Sequence, residues 1–262
     1  MADILEEIVA NKRKEVEVFK QELPFALLEE RVNNIKGGLS ISMSANLRNS
    51  GSGIIAEFKR KSPSKGWIKE EGRPDVIPPA YAEAGAAAIS ILTDEHYFGG
   101  NMDFVRTARP LVSCPILRKD FIVDEYQLFQ ARDIGADAVL LIAADLTKAE
   151  CKQLAHTAHE LQLETLLEIH SEPELEYVGD DIDMVGVNNR NLGTFHTDVQ
   201  NSFRLAALLP HDYLLVSESG ISNPATVRDL RQAGFRGFLI GETFMKTPAP
   251  GQALSAFINS IK

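Results

Sequence analysis

Three segments put an acid or a lysine where a short apolar run stops, and together they could move protons. Ala56-Glu57-Phe58-Lys59 ends one such run, with Glu57 and Lys59 two positions apart. In an extended strand that spacing puts both side chains on one face. Leu117-Arg118-Lys119-Asp120-Phe121 brings a second lysine to the end of another run, and Leu166-Leu167-Glu168-Ile169 inserts a lone carboxylate into a third. A carboxylate in a buried strand is expensive unless paired. A rim ion pair would explain Glu57 with Lys59, and a salt bridge would explain Glu168 alone. Glu168 taken with Lys59 and Lys119 points to acid–base machinery.

Two further stretches could grip an anionic substrate. Arg60-Lys61-Ser62-Pro63-Ser64-Lys65-Gly66 is basic and hydroxyl-rich, the composition of a mobile gripping loop, and Ser62 is a substrate-binding candidate within it. Val187-Asn188-Asn189-Arg190-Asn191-Leu192 crowds side-chain donors behind an apolar run, although turn chemistry alone accounts for a run of Asn. His156, His159, His170, His196 and His211 have no metal-ligand spacing, and Trp67 serves at most as a lid contact. Neither a metal nor an organic cofactor is expected.

The elements that must position these groups follow a repeating grammar. Ala84-Gly85-Ala86 precedes the run 87–92, Ile134-Gly135-Ala136 precedes 138–142, and Ala233-Gly234-Phe235 precedes 238–241. Gly at such a point closes a helix in the left-handed conformation, and a continuously apolar strand after it is one buried on both faces. Apolar runs predict eight strands near 54–58, 88–92, 115–118, 138–142, 165–169, 184–188, 214–217 and 238–241, alternating with amphipathic helices. Strict alternation favours a closed (βα)8 TIM barrel over an open sheet, and no Gly-rich dinucleotide fingerprint follows the first strand. Asp3 with Glu6 reads as an N-cap box opening a helix, a second helix is expected near Phe25 to Val32, and Gly37 to Gly53 reads as a Gly/Ser-rich stretch. The chain is thus expected to be one domain over 1–262, with 1–53 as an N-terminal helical extension.

In such a barrel the site lies at the C-terminal strand ends, and the seventh and eighth loops commonly bind phosphate through backbone N–H groups. Those loops here read Ser217-Glu218-Ser219-Gly220-Ile221-Ser222 and Ile240-Gly241-Glu242-Thr243. Either glycine turn alone could merely reverse the chain; both together favour phosphate. The average surface would repel nucleic acid and anionic lipid, since 37 acidic residues face 27 basic ones for a net charge of −10. The expected partner is a small phosphorylated molecule, with no nucleic acid, membrane or obligate protein partner. The apolar run Ala138 to Ala144 is too short to span a bilayer, and charged residues from Lys12 to Glu15 argue against a secretory leader. Only two cysteines, Cys114 and Cys151, suit burial in a reducing cytoplasm.

The segments 57–66, Lys119-Asp120-Phe121-Ile122, Glu168 behind Leu166-Leu167, 188–192 and 217–221 together resemble indole-3-glycerol phosphate synthase. They match in order along nearly the whole chain, and Glu57-Phe58-Lys59-Arg60-Lys61-Ser62-Pro63-Ser64 is the specific part, whereas the phosphate turns are shared with many barrels. The resemblance implies ring closure of 1-(2-carboxyphenylamino)-1-deoxyribulose 5-phosphate to indole-3-glycerol phosphate, with loss of carbon dioxide and water, in tryptophan biosynthesis. It implies Lys119 as general acid, Glu168 as base and Lys59 as carboxylate holder, second proton donor or both. Neighbouring positive charge and partial burial are expected to lower the Lys119 pKa. Glu57, Asn188 and Arg190 match the family's orienting positions, and Ser219, Gly220, Gly241 and Glu242 its phosphate grip. Phe98, Phe121 and Leu192 could wall a slot for the aromatic ring.

Two departures stand out. Glu242 replaces a Ser found in some members, so its backbone N–H is expected to face phosphate. The segment from Glu168 to Asn188 is short for a full helix, and a truncated one is expected. The rival readings are another phosphosugar barrel, such as a phosphoribosyl isomerase, and a catalytically silent ligand-binding barrel.

Overall fold

A computed structural model of the chain describes residues 4–35, 40–191, 193–210 and 212–261. Eight strands carry it: β1 (Ile54–Phe58), β2 (Ala88–Leu92), β3 (Ile116–Lys119), β4 (Ala138–Ile142), β5 (Glu164–Ile169), β6 (Met184–Asn188), β7 (Leu214–Glu218) and β8 (Phe235–Ile240). All neighbours pair in parallel, and β1 pairs with both β2 and β8, which closes the barrel and excludes the open sheet. Three predicted strands shift: β3 sits one residue later, β5 begins at Glu164, and β7 runs on through Glu218. A fourth moves further, since β8 starts at Phe235 rather than 238, with its register to β7 shifting between Phe235 and Gly237. The exposed Arg236 and the Gly beside it break the apolar run there, which hid the start of the strand.

Period-two alternation decides which side chains enter the barrel. Ile55, Leu117, Leu140, Leu166, Met184, Val216 and Leu239 form one interior cluster, whereas Ile54, Ile91, Val139, Leu167 and Val185 belong to the layer beneath the helices. Two residues beyond the interior positions stand Glu57, Lys119, Glu168, Glu218 and Gly241. The lower barrel is therefore apolar and its upper mouth is charged. Gly85, Gly135 and Gly234 all have positive φ, as the helix-ending motif requires.

Three helices precede the barrel: α1 (Ile4–Glu22), α2 (Phe25–Asn33) and α3 (Met43–Asn49). The last lies inside the stretch read as Gly/Ser-rich, a helix that seven residues are too few to reveal by period. Ser42 caps it by accepting from Ala45 N, and Glu164 at the start of β5 accepts from Ser42 Oγ and Ser44 N at 2.6 and 2.7 Å. Its Met43 and Leu47 join the interior cluster and stopper the lower end of the barrel. The Asp3 cap, the start of the 37–53 stretch, Leu192 and His211 lie outside the described residues.

Helix α1 crosses near the mouth. Lys12, 2% exposed, reaches Asp94 at 2.8 Å and Asp120 at 3.0 Å. Asp120 directly follows Lys119 and also accepts from Arg118 and Thr93. Between β5 and β6 the chain forms a 3₁₀ helix, Glu172–Tyr177, in place of an α-helix, so the shortened crossover is as expected. Among the described residues no helix is long and apolar enough to cross a membrane.

Candidate functional site

A cavity of about 420 Å³ opens at the C-terminal strand ends. Its floor carries Glu57, Lys119, Glu168, Asn188 and Glu218, one from each of β1, β3, β5, β6 and β7. Lys119 Nζ donates to Glu168 Oε2 at 3.1 Å and stands 3.6 Å from Glu218 Oε2. Asn188 Nδ2 donates to Glu168 Oε1 at 3.0 Å. Lys59, just past β1, pairs with Glu57 at 2.5 Å.

The charge balance of this floor sets its protonation. Burial pulls the Lys119 ammonium down, but the Glu168, Glu218 and Glu57 carboxylates outweigh it, and the net displacement is upward. The expected lowering is therefore wrong: the neighbours of Lys119 are anions, since Lys59 is engaged with Glu57. Burial pushes Glu168 up, yet Lys119, His170 and Asn188 carry it below the usual carboxylate range. Glu218 is raised by burial and by the Glu168 charge. The floor thus holds a protonated ammonium beside an ionised carboxylate, the starting states an acid and a base require, with each held back from proton transfer by the other until their contact is parted.

Around the rim the loops divide the remaining work. Lys61–Ser62 and Gly66–Trp67 pair as an antiparallel hairpin, so the first loop is an ordered arm rather than a structureless one. Ser62 is buried, and its hydroxyl makes no hydrogen bond among the described residues. Arg190 Nη1 donates to Ser64 Oγ at 3.1 Å and links this arm to the loop after β6. The Asn run splits by parity: Asn188 faces the cavity, while Asn189 is buried against Ser202 and Ser217. Asn191 Oδ1 accepts from Thr194 N at 2.8 Å and holds the turn.

Phe98 and Phe121 border the cavity with ring centroids 6.0 Å apart, leaving an apolar wall beside the charged floor. The same cavity is lined by Ser219, Gly220, Gly241 and Glu242. Ser219 and Gly220 both have positive φ, a turn that gathers backbone N–H groups on one side. Gly241 precedes a short helix, Glu242–Met245, and Thr243 Oγ1 donates to the Ile221 carbonyl at 3.1 Å, joining the two turns. The Glu242 carboxylate reaches toward Lys65, 3.8 Å away.

Three groups at the site escaped sequence reasoning. Glu218 sits in the sequence beside a phosphate-type Ser-Gly turn, but its position two residues beyond interior Val216 gives it the parity of Glu57 and Glu168. His170, set aside with the other histidines, stands 3.3 Å from Glu168 Oε1 and 3.6 Å from Glu174 Oε2. Burial lowers its imidazole pKa, but those two carboxylates prevail and push it up to about 10. Asp145, in the turn after β4, has both oxygens buried without a hydrogen-bond partner among the described residues, and burial followed by the Glu168 charge pushes it up to about 8. No spacing in the sequence marks it.

The model of the family described as indole-3-glycerol phosphate synthase matches residues 5–257. An indole-3-glycerol phosphate synthase of Bacteroides thetaiotaomicron is 63% identical over 262 residues, covering 100% of both chains. Proteins of the same name from a Polaromonas species and from Magnetococcus marinus are each 42% identical over 262 residues; the first spans 97% of this chain and 98% of its own, the second 98% of each. With this similarity running through the barrel and its mouth, the chain belongs to the indole-3-glycerol phosphate synthase family.

Proposed function

We propose that the chain closes the indole ring of 1-(2-carboxyphenylamino)-1-deoxyribulose 5-phosphate, with Lys119 as general acid and Glu168 as general base. The observation that carries this assignment is the Lys119–Glu168 contact at 3.1 Å on the cavity floor, between an aromatic wall and two glycine turns. The sugar phosphate lies on the N–H groups of Ser219, Gly220, Gly241 and Glu242, and the aryl ring against Phe98 and Phe121. Ser62 and Arg190 face the substrate's polar groups from the hairpin and the loop after β6.

Attack of the aryl carbon on the sugar carbonyl turns its oxygen into a hydroxyl, and Lys119 supplies that proton. Breakage of the carboxylate bond then releases carbon dioxide. Departure of the hydroxyl as water needs a second proton, assigned to Lys59, while Glu168 takes the proton whose loss completes the aromatic ring. Glu57 and Asn188 orient this pair: Glu57 holds Lys59 and Asn188 holds Glu168. The two buried, unbridged cysteines suit a cytoplasmic setting for this chemistry.

The test mixes chelator-treated protein with this substrate and follows indole fluorescence, with Lys119→Ala and Glu168→Ala in parallel. Turnover by the wild type and its collapse in both variants is expected. Binding without an indole product would remove the assignment, and full activity of Lys119→Ala would remove the acid.

A further inference from the structure

We propose that His170 is a positioning residue that keeps Glu168 ionised and aimed at the substrate while Lys119 is engaged with the carbonyl oxygen. This rests on the reading of Glu168 as the base. Among the described residues, the cations within 4 Å of the Glu168 carboxylate are Lys119 and His170, on different oxygens. Lys119 donates to Oε2 and the neutral Asn188 amide to Oε1, while His170 Nε2 stands 3.3 Å from Oε1 as a charge neighbour without a hydrogen bond to it. An acid that gives up its proton also gives up its charge. At that moment Glu168 would lose one of its two cation neighbours on a buried floor, and His170 would be the one that remains.

The chain is shaped to hold the imidazole there. Glu174 Oε2 accepts from the His170 backbone N–H at 2.7 Å and lies 3.6 Å from the ring Nδ1. Ser171 Oγ donates to Glu174 Oε1 at 2.8 Å, and Asn201 Nδ2 donates to the His170 carbonyl at 3.0 Å. The 3₁₀ helix Glu172–Tyr177 is what delivers Glu174 to this point, so the shortened crossover after β5 gains a purpose.

Titratable groups face this pair from every side. Lys119 comes from β3, Glu57 and Lys59 from β1 and the residue beyond it, Glu218 from β7, Asp145 from the turn after β4 and Glu174 from the 3₁₀ helix. Arg13 of α1 acts on Asp145, and Arg190, His196, Asp198 and Arg204 share a second cavity with His170 on its outer side. Carboxylates predominate in contact with the ring, which favours imidazolium.

The test is the pH dependence of kcat for the wild type, His170→Gln, His170→Lys and Glu168→Gln. Gln keeps a donor toward Glu168 but loses the charge. His170→Gln is expected to lower kcat about tenfold with KM within about twofold, and to move the acid limb up by about one pH unit. His170→Lys, which restores a cation, is expected to return the limb toward the wild-type position. A His170→Gln limb that coincides with the wild type, whatever happens to kcat, overturns the proposal, as does a His170→Lys limb no different from that of Gln. His170→Asn is the second neutral variant should Gln fail to fold. Glu168→Gln tests the underlying reading separately: if the acid limb persists in it, Glu168 is not the base and His170 has nothing to position.

Discussion

The ammonium of Lys119 donates to Glu168 Oε2 at 3.1 Å, so the acid and the base of the proposed reaction rest as a single ion pair. Each holds the other in the protonation state its task requires, and substrate must part them before either can act. Glu168→Gln and Lys119→Met are each expected to reduce kcat by roughly 10²–10⁴. Because the two act as a unit, the double variant should lose little more than the worse single one. Single-turnover indole fluorescence measures all three, and multiplicative losses would mean that the residues work independently.

Lys12 is the electrostatic bolt between α1 and the barrel mouth. Its removal in Lys12→Met leaves Asp94 and Asp120 buried with less compensation, and a loss of about 3–5 kcal/mol is expected from urea unfolding. The pair also fixes a pH dependence. Burial pushes Asp120 up, but Lys12 and Arg118 outweigh it and its carboxyl sits below its usual value. A carboxyl depressed by folding stabilises above its unfolded pKa of about 3.9 and loses that contribution as pH falls through the folded value. The wild-type melting temperature should therefore drop below about pH 4, and Lys12→Met should drop less steeply. Parallel acid slopes would show that Lys12 does not hold Asp120.

What the sequence disclosed was the part that alternation and apolar runs encode. Strand ends at Lys119, Glu168 and Asn188 were legible because a polar residue interrupts or ends a buried run. Glu218 was as legible by parity, but the neighbouring Ser219-Gly220 drew attention to phosphate instead. His170 stands past the end of β5, where strand period no longer tells which way a side chain points, and its meaning came only with Glu174. Helix α3 was hidden by brevity and by its serines, which serve as cap and as donors to Glu164. The sign of the Lys119 displacement depends on which charges meet it in space, and the sequence does not disclose that Lys59 is engaged with Glu57 while Glu168 and Glu218 face Lys119.

Arg190 ties the hairpin arm to the loop after β6 through Ser64. Ser64→Ala removes that hydrogen bond without touching the floor, so KM should rise about fivefold while kcat holds within about twofold, consistent with roughly 1 kcal/mol of lost closure. Arg190→Lys should not behave as wild type, because a point charge lacks the planar fork that can serve the hydroxyl and the substrate together. Unchanged KM in both variants would assign the contact to the resting protein alone.

Gly186 and Gly241 make room for carboxylates of neighbouring or nearby strands. A methyl on Gly186 would strike Glu218 Oε1, and one on Gly241 would strike Glu57 Oε1. These glycines are needed less for backbone freedom than because the mouth packs acids where other strands present side chains. Gly186→Ala should push Glu218 away from Lys119 and depress kcat, leaving inhibition by inorganic phosphate unaltered. Gly241→Ala acts on two things at once, displacing Glu57 from Lys59 and adding bulk at the phosphate turn, so both kcat and phosphate inhibition should weaken. Measuring inhibition by phosphate alongside turnover separates the two: if Gly186→Ala weakens phosphate binding as much as Gly241→Ala, the division of the mouth into a proton-moving floor and a phosphate-holding rim is wrong.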